Sequence, residues 1–198
     1  MDKHNELEQY LAQYKGKDVV YFPNPGNAGD SIIAAATYQL FDRVGLNYST
    51  PKPSRADASG KIVIYGGGGK LLNYRSHTAR VVRMFHANAE KMVILPHTVN
   101  GVDELMQELG PNTDIICREH RSFEYVQRTT NGPAVFEMDD VAFSLDVQDV
   151  LSRRIDAAAK RLFEFVRLKL ASSKACPSLR SVTQSLRHAE IWQQLRDG

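Results

Sequence analysis

Cysteine is scarce in this sequence: Cys117 and Cys176 are the only two among 198 residues. They stand far apart, and neither belongs to a Cys-x-x-Cys pair or to a Cys/His spacing typical of a structural zinc site. This scarcity excludes a disulfide framework. It predicts free thiols in a reducing compartment.

Long apolar runs and a strong charge imbalance are also missing. No segment approaches the roughly 20 apolar residues that a membrane-spanning helix needs, and residues 1–17 lack the apolar centre of a signal peptide. The formal net charge is +2, which is too small to predict attraction to nucleic acid. We therefore expect a cytoplasmic protein, free or peripheral to the inner membrane, with no transmembrane segment and no nucleic-acid partner.

What the sequence does contain is an alternation of short apolar segments with amphipathic ones. We predict strands at residues 18–22, 61–65, 92–95 and 114–117, with weaker candidates at 46–49, 135–136 and 141–145. We predict helices at residues 5–14, 31–41, 102–109 and 121–128, and one more that begins after the glycines at 66–69 and runs to about residue 88. Continuous apolar strands are typical of parallel sheets that helices cover on both faces. The predicted class is α/β, with a doubly wound, mainly parallel, Rossmann-like sheet.

The composition changes near residue 147. Residues 150–170 are rich in Ala, Arg and Leu and predict one long helix, residues 171–181 a linker, and residues 185–195 a last helix. We therefore divide the chain into a Rossmann-like lobe at 1–146 and a helical C-terminal extension at 147–198.

The loop after the first strand forms one wall of the predicted site. Gly26 and Gly29 would let a ligand approach the backbone, and the following helix N-terminus favours an anion. Asp30 would serve as the N-cap of that helix and would repel a phosphate. A carboxylate there suits sugar hydroxyls or proton transfer, and the alternative is that Asp30 only caps the helix.

Four consecutive glycines, residues 66–69, follow the third predicted strand. Ordering each one costs about 0.5–1 kcal/mol relative to alanine in regular structure. A tight turn needs fewer, so we expect close contact with a ligand or with Asn27 and its neighbours. Lys70 could reach an anion, although a solvated lysine is the commoner case.

Polar residues follow the next two strands. His97 comes after Pro96, which we expect to end its strand, and an imidazole there could donate to a phosphate or move a proton near neutral pH. The alternative is a hydrogen-bonded structural histidine. Arg118 suits a carboxylate or phosphate ligand, or else pairs with Glu119 near a helix start. Further along, Asp139-Asp140 lacks nearby oxygen ligands and gives only a weak metal signal.

Five segments carry a resemblance to a known family. They are GNAGDSII at 26–33, YGGGG at 65–69, ILPHT at 94–98, CREHRSFEYV at 117–126 and DDVAFSLD at 139–146. In order and approximate spacing they are similar to motifs of the polysaccharide pyruvyl transferase family. The resemblance covers about residues 18–146.

The resemblance implies one lobe of a GT-B-like architecture and a transferase role in exopolysaccharide or cell-wall glycan biosynthesis. The reaction would move a pyruvyl group from phosphoenolpyruvate to a pair of sugar hydroxyls, and it would need no metal or further cofactor. The implied partners are phosphoenolpyruvate and a sugar or lipid-linked oligosaccharide acceptor, and a homo-oligomer is compatible with this.

By the same resemblance, His97 and Arg118 match positions that hold phosphoenolpyruvate, and Asp30 and the glycine loops match the shell of the cleft. We expect His97, Asp30 and Arg118 to be the catalytic residues. The expected substrate-binding residues are Asn27, Gly29, Ser31, Gly67, Gly68, Gly69, Thr98, Glu119 and Arg121. Family members are usually longer and carry a T-D-R-L-H segment in a second lobe, of which residues 181–188 give a faint echo. The alternatives are therefore a non-catalytic one-lobe module for sugars or anions and a glycosyltransferase-like lobe for a nucleotide sugar.

Overall fold

The computed structural model describes residues 6–153 and 160–161. The chain divides into two compact units, Met1–Asp146 and Val147–Gly198. In the second unit, residues 147–153 and 160–161 are helical. The rest of the predicted long helix, the linker and the last helix lie outside the described residues.

The first unit is built on one parallel sheet. Within the described residues its seven strands are β1 (Asp18–Phe22), β2 (Asn47–Ser49), β3 (Ile62–Tyr65), β4 (Gly68–Leu71), β5 (Lys91–Val99), β6 (Thr113–Cys117) and β7 (Ala134–Glu137). They run in the order β2-β1-β3-β5-β6-β7, β4 pairs with β5, and every pairing is parallel. The predicted α/β class with a parallel sheet is confirmed.

Helices cover both faces of this sheet. They are α1 (Glu6–Ala12), α2 (Ala28–Val44), α3 (His77–Phe85), α4 (Asp103–Glu108) and α5 (His120–Thr129). Apolar residues of α1 and α2 pack into one buried cluster, and those of α3, α4 and α5 pack into another on the opposite face. Because both faces are covered, the central strands β1, β3 and β5 are buried along most of their length and largely apolar. None of the helices between residues 6 and 153 is long and apolar enough to cross a membrane.

The strand order contains a reversal at β1 and β3. From β1 the chain passes through α2 to β2 on one side. From β3 it proceeds through β5, β6 and β7 on the other side. The carboxyl ends of β1 and β3 therefore form a topological switch point, the place where doubly wound sheets bind ligands.

Two expectations about this edge are wrong. β5 does not end at Pro96 but continues to Val99, because a register shift between Ile94 and His97 accommodates a residue without an N–H group. The four glycines do not form a turn that leads directly into a helix. Gly68 begins β4, which pairs with the far end of β5, and α3 starts only at His77.

A third expectation, the weak strand at residues 141–145, is also wrong. Val141–Ser144 is a 3₁₀ turn, which the side chain of Asp140 caps by accepting a hydrogen bond from the Ala142 amide at 2.9 Å. Val141 is buried against the α2 face of the sheet. These residues therefore form a turn that packs Val141 and Ala142 against the core rather than a strand.

Candidate functional site

The candidate site lies at the carboxyl edge of the sheet, where segments that follow β1, β3, β6 and β7 meet the end of β5. We call it the carboxyl-edge cluster, and its members are Asn24, Asp30, Tyr65, Lys70, His97, Thr98, Arg118, Glu119 and Asp140. Hydrogen bonds and ion pairs join most of these side chains, although they come from five separate parts of the chain.

The start of α2 is organised differently from our expectation. Asn27, not Asp30, is the N-cap, and its side-chain oxygen accepts hydrogen bonds from the Gly29 and Asp30 amides at 2.9 and 3.4 Å. Asp30 completes a capping box by accepting from the Asn27 amide at 2.8 Å. The predicted N-cap was wrong because Asn27 caps equally well and an earlier helix start lets Asp30 face the interior.

Asp30 is buried and its carboxylate is fully engaged. Besides the Asn27 amide, it accepts from Asn24 Nδ2 at 3.2 Å and lies 3.2 Å from Lys70 Nζ. Asn24 in turn accepts a hydrogen bond from the Tyr65 hydroxyl at 3.0 Å. With both oxygens occupied in this way, Asp30 is suited to holding the loops in place rather than to moving protons.

The glycine run is explained by contacts within the protein. A Cβ on Gly66 would lie 2.8 Å from the Asn24 backbone nitrogen, and one on Gly67 would lie 2.8 Å from the Pro96 carbonyl oxygen. At Gly68, φ is +151° and a Cβ would lie 2.4 Å from Asn24 Nδ2. A Cβ on Gly69 would lie 3.0 Å from an Arg118 guanidinium nitrogen. The expected close contact exists, but its main protein partner is Asn24 rather than Asn27.

His97 is completely enclosed, with 0% of its surface exposed. Its Nδ1 lies 3.4 Å from the Leu95 carbonyl oxygen, which can only accept a hydrogen bond, so this contact places the proton on Nδ1. Nε2 is buried and has no hydrogen-bond partner among the described residues. Burial, with a smaller contribution from Arg118, lowers the pKa of His97 to about 4. At neutral pH the imidazole is uncharged, so it can accept a proton or a hydrogen bond through Nε2 but is a poor general acid.

Arg118 is held by three neighbours. Its Nε donates to Thr98 Oγ1 at 2.7 Å and lies 3.5 Å from Glu119 Oε2, and its Nη1 donates to Asp140 Oδ2 at 2.8 Å. Thr98 also donates to Glu119 at 3.1 Å. The guanidinium is therefore oriented from one side by Thr98 and Glu119, while Asp140 occupies another of its donors.

The other predicted site residues are placed less centrally. Asn27, Gly29 and Ser31 are exposed in the first turn of α2, whereas Gly67 and Gly68 are buried beneath the cluster. Arg121 is exposed on α5, and no hydrogen bond or ion pair within the described residues connects it to the cluster. The structure thus brings Thr98, Glu119 and Gly69 close to Arg118 and leaves Arg121 outside.

Four members of the cluster were not among the predicted site residues: Asn24, Tyr65, Lys70 and the Arg118 partner Asp140. Asn24 and Tyr65 stand at the ends of strands that flank the switch point, which is the signal that could have identified them. Asp140 was noticed only as half of an acidic pair. Its ion pair with Arg118 forms because the turn after β7 lies beside the end of β6, and no local sequence pattern predicts this placement.

The charges of the cluster nearly cancel. Asp30, Glu119 and Asp140 contribute three negative charges, and Lys70 and Arg118 contribute two positive ones, which leaves a formal charge of −1 while His97 is neutral. Among the described residues no group of three or more His, Cys, Asp or Glu side chains is placed to hold a metal ion. As it stands, the arrangement suits the binding of hydroxyl groups. It suits an anion when Arg118 exchanges one of its carboxylate partners for that anion.

Comparisons with known proteins give a structural neighbour but no family. No family model matches the chain, and no curated protein matches it. A solved structure of a protein from Klebsiella pneumoniae, described as functional but uncharacterized, is similar with a TM-score of 0.66 and 30% sequence identity. The match covers 75% of this chain and 59% of that protein, so this chain spans less than two thirds of its neighbour's length.

Proposed function

We propose that this chain acts in pyruvyl transfer from phosphoenolpyruvate to a pair of sugar hydroxyls, in exopolysaccharide or cell-wall glycan biosynthesis. The observation that carries the proposal is that segments far apart in the sequence meet at one place in the fold. The five segments that resemble the pyruvyl transferase family are dispersed over residues 26–146, yet each contributes to or borders the carboxyl-edge cluster. This cluster lies where doubly wound sheets bind their ligands.

The residue chemistry is compatible with this reaction. Phosphoenolpyruvate carries a carboxylate and a phosphate, and an arginine held by Thr98 and Glu119 suits either group. Two sugar hydroxyl groups add to the enol carbon, and each loses its proton. One of these protons goes to the methylene carbon, and the other leaves with the phosphate. The lone pair on His97 Nε2 suits accepting a hydrogen bond from a substrate hydroxyl group, whereas a pKa of about 4 makes this imidazole a weak base.

Phosphate release provides the test. The purified chain would be incubated with phosphoenolpyruvate and oligosaccharides that present free hydroxyl pairs, and inorganic phosphate would be measured. We expect His97→Gln and Arg118→Gln to abolish release while circular dichroism shows that both variants are folded. Arg128→Gln, at an exposed position of α5, is the matched control and should keep the wild-type rate. Turnover that survives both site substitutions would refute the residue assignment.

A second candidate is a sugar-binding module that does not turn over phosphoenolpyruvate. The observation in its favour is that Asp140 and Glu119 already neutralise Arg118, which leaves the cluster better suited to hydroxyl groups than to a dianion. Calorimetry that detects oligosaccharide binding without phosphate release would support this candidate over the transferase.

A further inference from the structure

The contact between Arg118 and Asp140 is one that an anionic ligand could replace. It uses a single hydrogen bond, from Nη1 to Oδ2 at 2.8 Å, rather than the bidentate pair that makes arginine–carboxylate contacts strong. The Asp140 side chain is 16% exposed and that of Arg118 is 30% exposed, so solvent weakens their attraction. A ligand with two anionic oxygens could therefore compete for this guanidinium.

Both partners are anchored independently of each other. Arg118 keeps its Nε contacts with Thr98 and Glu119 when Nη1 is released. Asp140 keeps the Ala142 amide, which binds its other oxygen at 2.9 Å and caps the 3₁₀ turn. An exchange would consequently cost one ion pair while the β6–α5 junction and the turn stay in place.

From these contacts we infer that Asp140 competes with an incoming anion for Arg118, and that this competition sets which anions are accepted. Its carboxylate occupies the position that a carboxylate or phosphate group of a ligand would take. A weak or singly charged anion would fail to displace it, whereas a ligand that engages both terminal nitrogens of Arg118 would succeed. This inference rests on the proposed function only in taking Arg118 as the anion-binding residue.

The substitution Asp140→Asn tests the competition. An asparagine at this position can still accept from the Ala142 amide, so the turn keeps its cap, but its charge no longer opposes an incoming anion. We expect the affinity for inorganic phosphate, measured by calorimetry, to rise about fivefold, which is what losing a partly exposed ion pair allows. Asp139→Asn removes the same charge one residue away and should change the affinity less than about twofold, since screening leaves only a weak long-range effect.

The wild-type protein offers a second measurement that needs no variant at Asp140. During a phosphate titration followed by NMR, the Arg118 Nε signal and the Asp140 carboxyl carbon signal should move with the same midpoint. Movement of the Arg118 signal alone would overturn the inference, because a competitor must leave as the ligand arrives. Equal or weaker phosphate binding by Asp140→Asn would overturn it as well.

The outcomes separate this inference from the proposed function. Tighter phosphate binding by Asp140→Asn without any release of phosphate from phosphoenolpyruvate would support the competition and count against pyruvyl transfer. Turnover by the wild type, with no gain in phosphate affinity in Asp140→Asn, would support the transferase and refute the competitor role.

Discussion

Acid should destabilise this chain through His97. The imidazole is completely buried, and its pKa falls from an ordinary 6.5 to about 4 in the folded protein. Between these two values the unfolded chain binds a proton at this residue and the folded chain does not. Unfolding is therefore favoured increasingly as the pH falls below 6.5, and the loss levels off near pH 4.

The size of this effect follows from the shift. One pKa unit corresponds to about 1.4 kcal/mol, so lowering the pH from 7 to 5 should remove about 2 kcal/mol of stability through His97 alone. Other groups also titrate in this range. Their contribution cancels when the wild type is compared with His97→Gln at both pH values, because the variant keeps all of them.

Urea denaturation at pH 7 and pH 5, with linear extrapolation to water, measures the four stabilities. We expect His97→Gln to lose about 2 kcal/mol less than the wild type over this interval. His120→Gln is an informative control, because its contacts with Glu137 and Glu124 raise the pKa of this exposed imidazole. Protonated His120 stabilises the fold at acidic pH, so its removal should increase the acid loss. Equal acid losses in the wild type and His97→Gln would refute the description of His97 as a buried neutral group.

Two further predictions concern the loops around the site. Gly67→Ala should destabilise the fold by about 1–3 kcal/mol, because a Cβ would lie 2.8 Å from the Pro96 backbone carbonyl oxygen. Gly29→Ala should cost less, because its Cβ would lie 3.2 Å from the side-chain oxygen of Asn27 on the exposed first turn of α2, where a small shift relieves the contact. Thermal unfolding would compare the two variants, and equal stabilities would contradict the packing argument. Asn27→Ala should cost about 1 kcal/mol by removing the cap of α2, while Asn27→Asp, which can still accept from the same amides, should retain most of it in denaturant titrations.

The fold was largely predictable because its main signals are local. Continuous apolar runs identified β1, β3 and β6. The predicted helix at residues 31–41 lies within α2, which continues to Val44 and ends at Gly45 in the left-handed conformation, at φ +73°. Residues 28–30 were missed at the helix start because two good capping residues lie three positions apart. The choice between them depends on which one the interior can accommodate.

The errors occur where tertiary pairing overrides local pattern. Two of the four residues of β4 are glycines and the strand has no apolar alternation, so only its pairing with β5 makes it a strand. Pro96 normally argues against a central strand, yet the register shift beside it lets β5 continue. Neither effect leaves a signal in the residues nearby in sequence.

The site was predictable in part for a physical reason. Residues after parallel strands gather at one edge, so His97, Arg118 and the loop containing Asp30 were expected to meet, and the structure places them together. That these residues bind a substrate stays a prediction. Their protonation and partners depend on burial and on register, which is why the neutral state of His97 could not be read from the sequence.

The attachment of α1 has a consequence for the order of folding. This helix has seven residues, too few to persist alone, and Tyr10 donates to Asp114 of β6 at 2.5 Å, 104 residues further along the chain. Tyr10 also packs its ring against Phe136 of β7, with centroids 5.4 Å apart. The Tyr10 contacts can therefore form only after β6 and β7 are in place, whereas Leu7 and Leu11 pack in the same buried cluster as α2. Because the Tyr10 contacts close a long loop, α1 should reach its full protection from hydrogen exchange late in refolding.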